Sequence, residues 1–181
     1  MSDTLEKLDD NLRQICKIKK STRKIGFSSS EFNEIMYGEN EFNFTLNQKI
    51  TEKLTTELEG RCIGDGFVLL NSLQVLNRSK LHFPQEALQL FYTLTVEYQY
   101  IICNPNPGVK LECCPVSKSK IGIVARLASS LSPLVILVPN DLCDVSISNI
   151  DKNTKNIIVE VIGKKFEQND KKITVIAKYV N

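Results

Sequence analysis

The sequence predicts an α+β module followed by an all-β five-stranded barrel, with a helical extension at the N-terminus. Three observations carry this reading. Leucine and isoleucine recur at helical spacing in residues 5–15 and again in residues 50–58. From Leu90 to Ile102 the even positions are apolar or aromatic and the odd positions mostly polar, the two-residue period of a strand with one buried face. Beyond Asn104-Pro105-Asn106-Pro107-Gly108, residues 109–181 hold five short strand signals and no long helix. That is the arithmetic of a small closed barrel, of which the OB-fold is the commonest case. With 42% hydrophobic and 24% charged residues in 181, the chain should fold, as one large domain or two small ones.

In the first helix Ser2 can cap, Leu5, Leu8, Leu12 and Ile15 share a face, and Lys19-Lys20 suits a helix C-terminus. Such a helix either docks on a partner or packs on its own domain. Residues 21–41 are polar, with Ser28-Ser29-Ser30 in the middle, and read as a tether with room for a helical turn at 31–37. Phe42-Asn43-Phe44-Thr45-Leu46 alternates and predicts a strand. Thr45 and Gln48 have capping-box spacing, and Ile50, Leu54 and Leu58 lie on one face of the helix that follows. Gly60 can end that helix in the left-handed conformation. Gly64-Asp65-Gly66 is a turn signal, with short strands at 67–70 and 73–76. A loop with Pro84 leads to the long strand. Pro105 and Pro107 cannot donate to a ladder, which places a domain boundary there. The barrel strands fall at 109–116, 121–127, 134–138, 157–163 and 172–180, with a turn at Gln168-Asn169-Asp170. Leu134-Val135-Ile136-Leu137-Val138 is apolar throughout, so that strand should be covered on both faces. The expected domains are residues 1–41, 42–104 and 105–181.

Charge is nearly balanced, with 23 basic and 21 acidic side chains. Residues 117–181 are the basic part, with ten basic and six acidic side chains. That local excess fits either an anionic partner or ordinary solvation. The six cysteines are Cys16, Cys62, Cys103, Cys113, Cys114 and Cys143, with no C-x-x-C pair and one histidine, His82. This pattern lacks zinc-site spacing and reads as reduced, mostly buried thiols. No apolar run reaches the roughly 20 residues of a membrane helix, and the first 25 residues are too charged for a secretory signal. Gly64 and Gly66 lack the third glycine and the strand–helix setting of a phosphate loop. The candidate site lies in the barrel. Lys118 and Lys120 fall in its first loop, Arg126 on its second strand, and Lys164, Lys165, Phe166, Lys171 and Lys172 around its last hairpin. Single-strand binders join a basic groove to aromatic platforms. With only Phe166 and Tyr179 aromatic in residues 105–181, the expected binding is weak and sequence-tolerant, and the alternative is that the lysines solvate loops.

The order of these features resembles the stalk subunit of DNA-directed RNA polymerase, the family of the seventh subunit of RNA polymerase II and its archaeal counterpart. The resemblance rests on Asn43-Phe44-Thr45-Leu46, the helix ending in Glu57-Leu58-Glu59-Gly60, Cys62, and Gly64-Asp65-Gly66-Phe67-Val68-Leu69, which look like the family's N-terminal tip module. The long strand running into Pro105-Asn106-Pro107-Gly108 is similar to the passage from the tip into an S1-type OB barrel, with Val109 where the family usually has an acid. Ser132-Pro133 and the apolar run to Pro139 look most like homologues from large nucleocytoplasmic DNA viruses. The 15 Asn and 18 Ile fit AT-rich coding DNA. The likeness covers residues 42–181 and leaves 1–40 outside.

The resemblance implies a non-catalytic subunit without cofactor or metal. The tip would dock on the polymerase core near the RNA exit path through Gly60, Cys62, Gly64, Asp65, Gly66 and Phe67, and the barrel would touch nascent single-stranded RNA. The implied partners are the core subunits, with a second stalk subunit left open and no membrane. The implied location is intracellular: for a viral protein the virion and host cytoplasm, or alternatively the nucleus. Two other classes compete: a free-standing S1-type single-stranded RNA-binding protein of translation or RNA decay, and a Cys-dependent enzyme with a low-pKa thiol.

Overall fold

A computed structural model describes residues 8–37, 41–83, 91–129, 131–142 and 156–180. Ser2, Leu5, Pro84, Leu90 and Cys143 lie outside the described residues. A short helix α1 (Asp10–Ile15) buries Leu12 and Ile15 and ends at Cys16, where the backbone turns extended. The chain continues as a 13-residue strand β1 (Cys16–Ser28). Lys19 and Lys20 therefore sit in a strand, not at a helix end, and residues 21–28 are not a tether. Helix α2 (Ser29–Tyr37) follows directly. Its start is a capping box: Glu31 Oε2 accepts from the Ser28 N–H at 2.8 Å, and the Glu31 N–H donates to Ser28 Oγ at 3.4 Å.

Helix α3 spans Phe42–Leu58 and buries Leu46, Ile50 and Leu54. The expected strand at 42–46 is thus the first turn of this helix. Phe44 is 61% exposed, so its alternation with Phe42 and Leu46 marks no buried face. Thr45 and Gln48 form no capping box. Thr45 Oγ1 donates to the Glu41 carbonyl, and Gln48 donates to Glu52. Gly60 takes φ +72 after the helix, as its position requires. Strands β2 (Cys62–Ile63) and β3 (Gly66–Val68) form a tight hairpin, followed by β4 (Gln74–Arg78) and β5 (Phe91–Cys103). Then come β6 (Lys110–Lys118), β7 (Gly122–Arg126), β8 (Leu134–Pro139), a 3-10 turn at Asn140–Leu142, β9 (Ile157–Lys165) and β10 (Ile173–Val180). No described helix is long and apolar enough to cross a membrane.

The chain divides into two compact units, which are not the three consecutive segments read from sequence. One holds the described residues of 1–17, 60–70 and 101–181; the other holds 18–59 and 71–100. In the first, β6 to β10 close into a five-stranded barrel in the order β10-β8-β7-β6-β9. The β8–β10 pair is parallel and the rest antiparallel. This strand order is compatible with an OB-type barrel. Leu111, Ala125, Ile136, Val159, Val175 and Ala177 are fully buried inside. Strand β8 alternates buried and half-buried residues, so it is covered on one face, not both.

The same core takes in Leu12 and Ile15 of α1, Cys62 and Phe67 of the hairpin, and Ile101 and Cys103 of β5. The expected boundary at Asn104–Gly108 therefore does not divide this unit. The prolines do end the ladder, but the chain is stapled on either side of them. The Asn104 N–H donates to the Ile15 carbonyl and the Gly108 N–H to the Val161 carbonyl, both at 2.8 Å. In the second unit β5 runs between β1 and β4. Its even residues Leu94, Val96, Tyr98 and Tyr100 are buried. Helices α2 and α3 supply Ile35, Leu46, Ile50 and Leu54, each at most 1% exposed.

Candidate nucleic-acid interface

Strand register sorts the candidate cations. Lys118 lies opposite Ile123, and Gly122 opposite Pro139, at one end of the barrel. Arg126 lies opposite Cys114, Ile173 opposite Leu134, and Thr174 opposite Lys165, at the other. Lys118 and Lys120 are thus at the opposite end from Arg126, Lys164, Lys165, Phe166, Lys171 and Lys172. The sequence does not show this split, because it depends on which strands pair.

At the hairpin end the residues divide again. Lys165, Lys171, Lys172 and Arg126 are exposed. Lys164 is half-buried, with its ammonium donating to Asn104 Oδ1. Burial lowers its pKa; Cys103 acts the other way, and Lys17 adds to the lowering. Phe166 is half-buried and packs on the core, and Tyr179, opposite Val159 at the far end of β10 from the hairpin, packs on it too. Neither ring is a free platform, so this end offers cations without stacking.

The 60–67 turn, read from sequence as a separate docking site, meets this hairpin within the same unit. The Cys62 N–H donates to the Asp170 carbonyl at 2.7 Å, and the Asn169 N–H returns to the Cys62 carbonyl at 2.8 Å. Asn169 holds φ +70 to make this turn. The Cys62 thiol points at the Lys172 carbonyl, 3.8 Å away. Cys62, Gly66 and Phe67 are buried and Gly60 is half-buried, while Gly64 and Asp65 are exposed. Of the six candidate docking residues, the exposed ones are thus the two at the hairpin tip. Asn104 ties the arrangement together: its amide donates to the Asp65 carbonyl at 2.6 Å and its oxygen accepts from Lys164.

Burial pushes the Cys62 thiol up to about 11, with Asp170 adding to the shift. Burial, with help from Cys114 and Glu112, pushes Cys113 up to about 12. Cys103 is raised further, first by its hydrogen bond with Cys16 and then by burial. A nucleophilic thiol needs the opposite shift. Among the described residues no three His, Cys, Asp or Glu side chains group to hold a metal ion.

Three features of the second unit went unread in the sequence. Strand β1 carries Lys19, Lys20, Arg23 and Lys24 there with no acidic residue. Phe32 stacks on Tyr92 with ring centroids 3.9 Å apart, and Phe83 meets both edge-on. The Arg78 guanidinium donates to Asn47 Oδ1 at 2.9 Å and Asn43 Oδ1 at 2.7 Å. It borders an open cleft of about 520 Å³ between Asn47 and Thr51 of α3 and the chain of β4, residues 73–78. The polar run Lys19 to Lys24, followed by Ile25-Gly26-Phe27 with apolar residues at alternate positions, was the available signal for β1.

Compared with known proteins, the chain matches no family model and no curated protein.

Proposed function

We propose that the chain is a non-catalytic stalk subunit of a multisubunit DNA-directed RNA polymerase. Its barrel is an S1-type OB-fold that contacts nascent RNA, and the tip of the 60–70 hairpin meets the polymerase core. The observation that carries this reading is the order helix α3, left-handed Gly60, hairpin, long strand β5 and then a closed barrel in the strand order 10-8-7-6-9. The exposed Lys165, Lys171, Lys172 and Arg126 supply cations for a phosphate backbone, which binds without reading sequence. Docking falls to Gly64 and Asp65, where a side chain added at Gly64 would meet open space. The test is purification of a tagged chain from its own source. Polymerase core subunits at stoichiometric level support the proposal, and their absence ends it.

A second reading is a free-standing S1-type RNA-binding protein. It is favoured by the burial of Cys62 and Phe67, since a turn that packs on its own barrel needs no partner to cover it. A monodisperse monomer that binds single-stranded RNA and captures no polymerase subunit would select this reading.

A further inference from the structure

We infer that the helix-free face of the β1-β5-β4 sheet is a binding surface for single-stranded RNA, with Phe91 as its stacking platform. The inference rests on the RNA-contacting reading above and adds a site outside the barrel. Two contacts fix which residues share that face. Arg23 pairs with Glu57 of α3 at 2.5 Å, and Lys53 of α3 sits 4.7 Å over the Phe27 ring. The odd residues of this part of β1 therefore face the helices. Successive side chains alternate, so Thr22, Lys24 and Gly26 face the other way. A Cβ on Gly26 would lie 3.5 Å from the Phe91 side chain, which puts Phe91 and the odd residues of β5 on that same open face. Gln74 pairs with Gln99, and their amides bond at 3.0 Å. Asn77 pairs with Glu97.

The chemistry of this face selects the ligand. Phe91 is 54% exposed, and it packs over Gly26, which has no side chain to cover it. Thr93 and Thr95 follow Phe91 along β5 on this face, and Glu97 opposite Asn77 and Gln99 opposite Gln74 carry the face on towards the other end of the strand. Thr22 lies on β1, so the face gives and accepts hydrogen bonds along its length. Lys24 supplies positive charge, and Glu97 is the only acid among these residues. A protein partner needs a desolvated apolar centre, and this surface has the Phe91 ring and the exposed His82 imidazole, which lies opposite Thr93, among hydroxyls and amides. A single-stranded polynucleotide needs a π-face, hydrogen-bonding groups and a cation for its phosphate. The stacked Phe32–Tyr92 pair does not serve, because each ring covers a face of the other, while Phe83 is 62% exposed and meets both edge-on.

The experiment uses the full chain and a fluorescent oligouridylate, titrated at several salt concentrations. Phe91→Ala should weaken binding by about tenfold, the cost of one lost stacked base. Phe91→Trp should keep it. Lys24→Glu should reduce the salt slope by about 0.7, one phosphate on a single strand. If Phe91→Ala does not fold, Phe91→Trp and Lys24→Glu still decide. If Phe91→Ala and Lys24→Glu bind like the native chain while Lys171→Glu/Lys172→Glu weakens, the sheet face is refuted and the barrel reading stands. If the native chain does not bind the oligonucleotide, or no variant changes binding, both fail.

Discussion

The two units use the same chain chemistry in opposite ways. The barrel unit buries branched aliphatics and four of its thiols around a closed cylinder. Its exposed cations include Lys165 and Arg126 at the ends of strands, and the Lys178–Glu160 ion pair crosses its ladder between β10 and β9. The helix-on-sheet unit has one dry face and one wet face, and its charges are paired across elements: Arg23 with Glu57, Lys49 with Glu34, and Lys53 with Glu31. A closed barrel leaves no sheet edge to manage. The open sheet keeps β1 as an edge strand and lines it with cations, and the Lys53 ammonium caps the Gly26 carbonyl at 2.8 Å. Closure frees a surface for loops, whereas an open sheet leaves a whole face available.

Truncation of the two cores is the largest way to test this contrast. Ile136→Ala in the barrel and Leu54→Ala under the sheet should each cost about 2–5 kcal/mol, read from chemical unfolding. A loss under about 1 kcal/mol at either site would show that its core is less dry than described. Gly66→Ala comes next. Gly66 has φ +138, and an added Cβ would lie 2.5 Å from the Cys103 carbonyl oxygen. The expected cost is about 2–3 kcal/mol, and full stability would mean that β3 and β5 can part without penalty. For the surface, Lys171→Glu/Lys172→Glu should weaken RNA binding by about tenfold at low salt and flatten its salt dependence. Equal affinity would detach the hairpin from RNA.

Thiol labelling sharpens the barrel side. At pH 8 the half-buried Cys114 should alkylate while Cys62 and Cys113 stay unmodified until the protein unfolds, as mass mapping would show. Early modification of Cys62 would contradict its packing. The smallest effect is on the sheet side. The Lys53 hydrogen bond, followed by the Ser28 contacts, holds the Glu31 carboxyl below its usual 4.5, against burial, which raises it. A lowered folded-state pKa adds stability above 4.5 and loses it as pH falls through the folded value. Glu31→Gln should therefore cost under about 1 kcal/mol at pH 7 and flatten the acid limb of the stability profile.

Much of the fold is legible where period and burial agree. Strand β5 is read correctly because Leu94, Val96, Tyr98 and Tyr100 are buried on one side, and the five barrel strands fall within a few residues of their expected bounds. The reading fails where a local pattern is ambiguous. Residues 42–46 alternate as a strand would, yet Leu46, Ile50 and Leu54 anchor them to a helix. β1 is polar and lysine-rich because it is an edge strand, so it lacks the apolar run that announces a buried one. The site is legible only as a set of residue types. Pairing sends Lys118 and Lys120 to one end of the barrel, turns Lys164 toward Asn104, and joins Cys62 to the hairpin. These are long-range facts that no window of sequence contains.

The bracket between Cys62 and the Asn169–Asp170 turn has a consequence for how the protein is made. Those residues are separated by more than a hundred positions, and β10 must also close the barrel against β8. During synthesis the early hairpin therefore waits, its apolar side uncovered, until β10 leaves the ribosome. Contacts of such span form slowly, and a ribosome stalled before β10 would release a chain with a sticky, unfinished half that chaperones must shield.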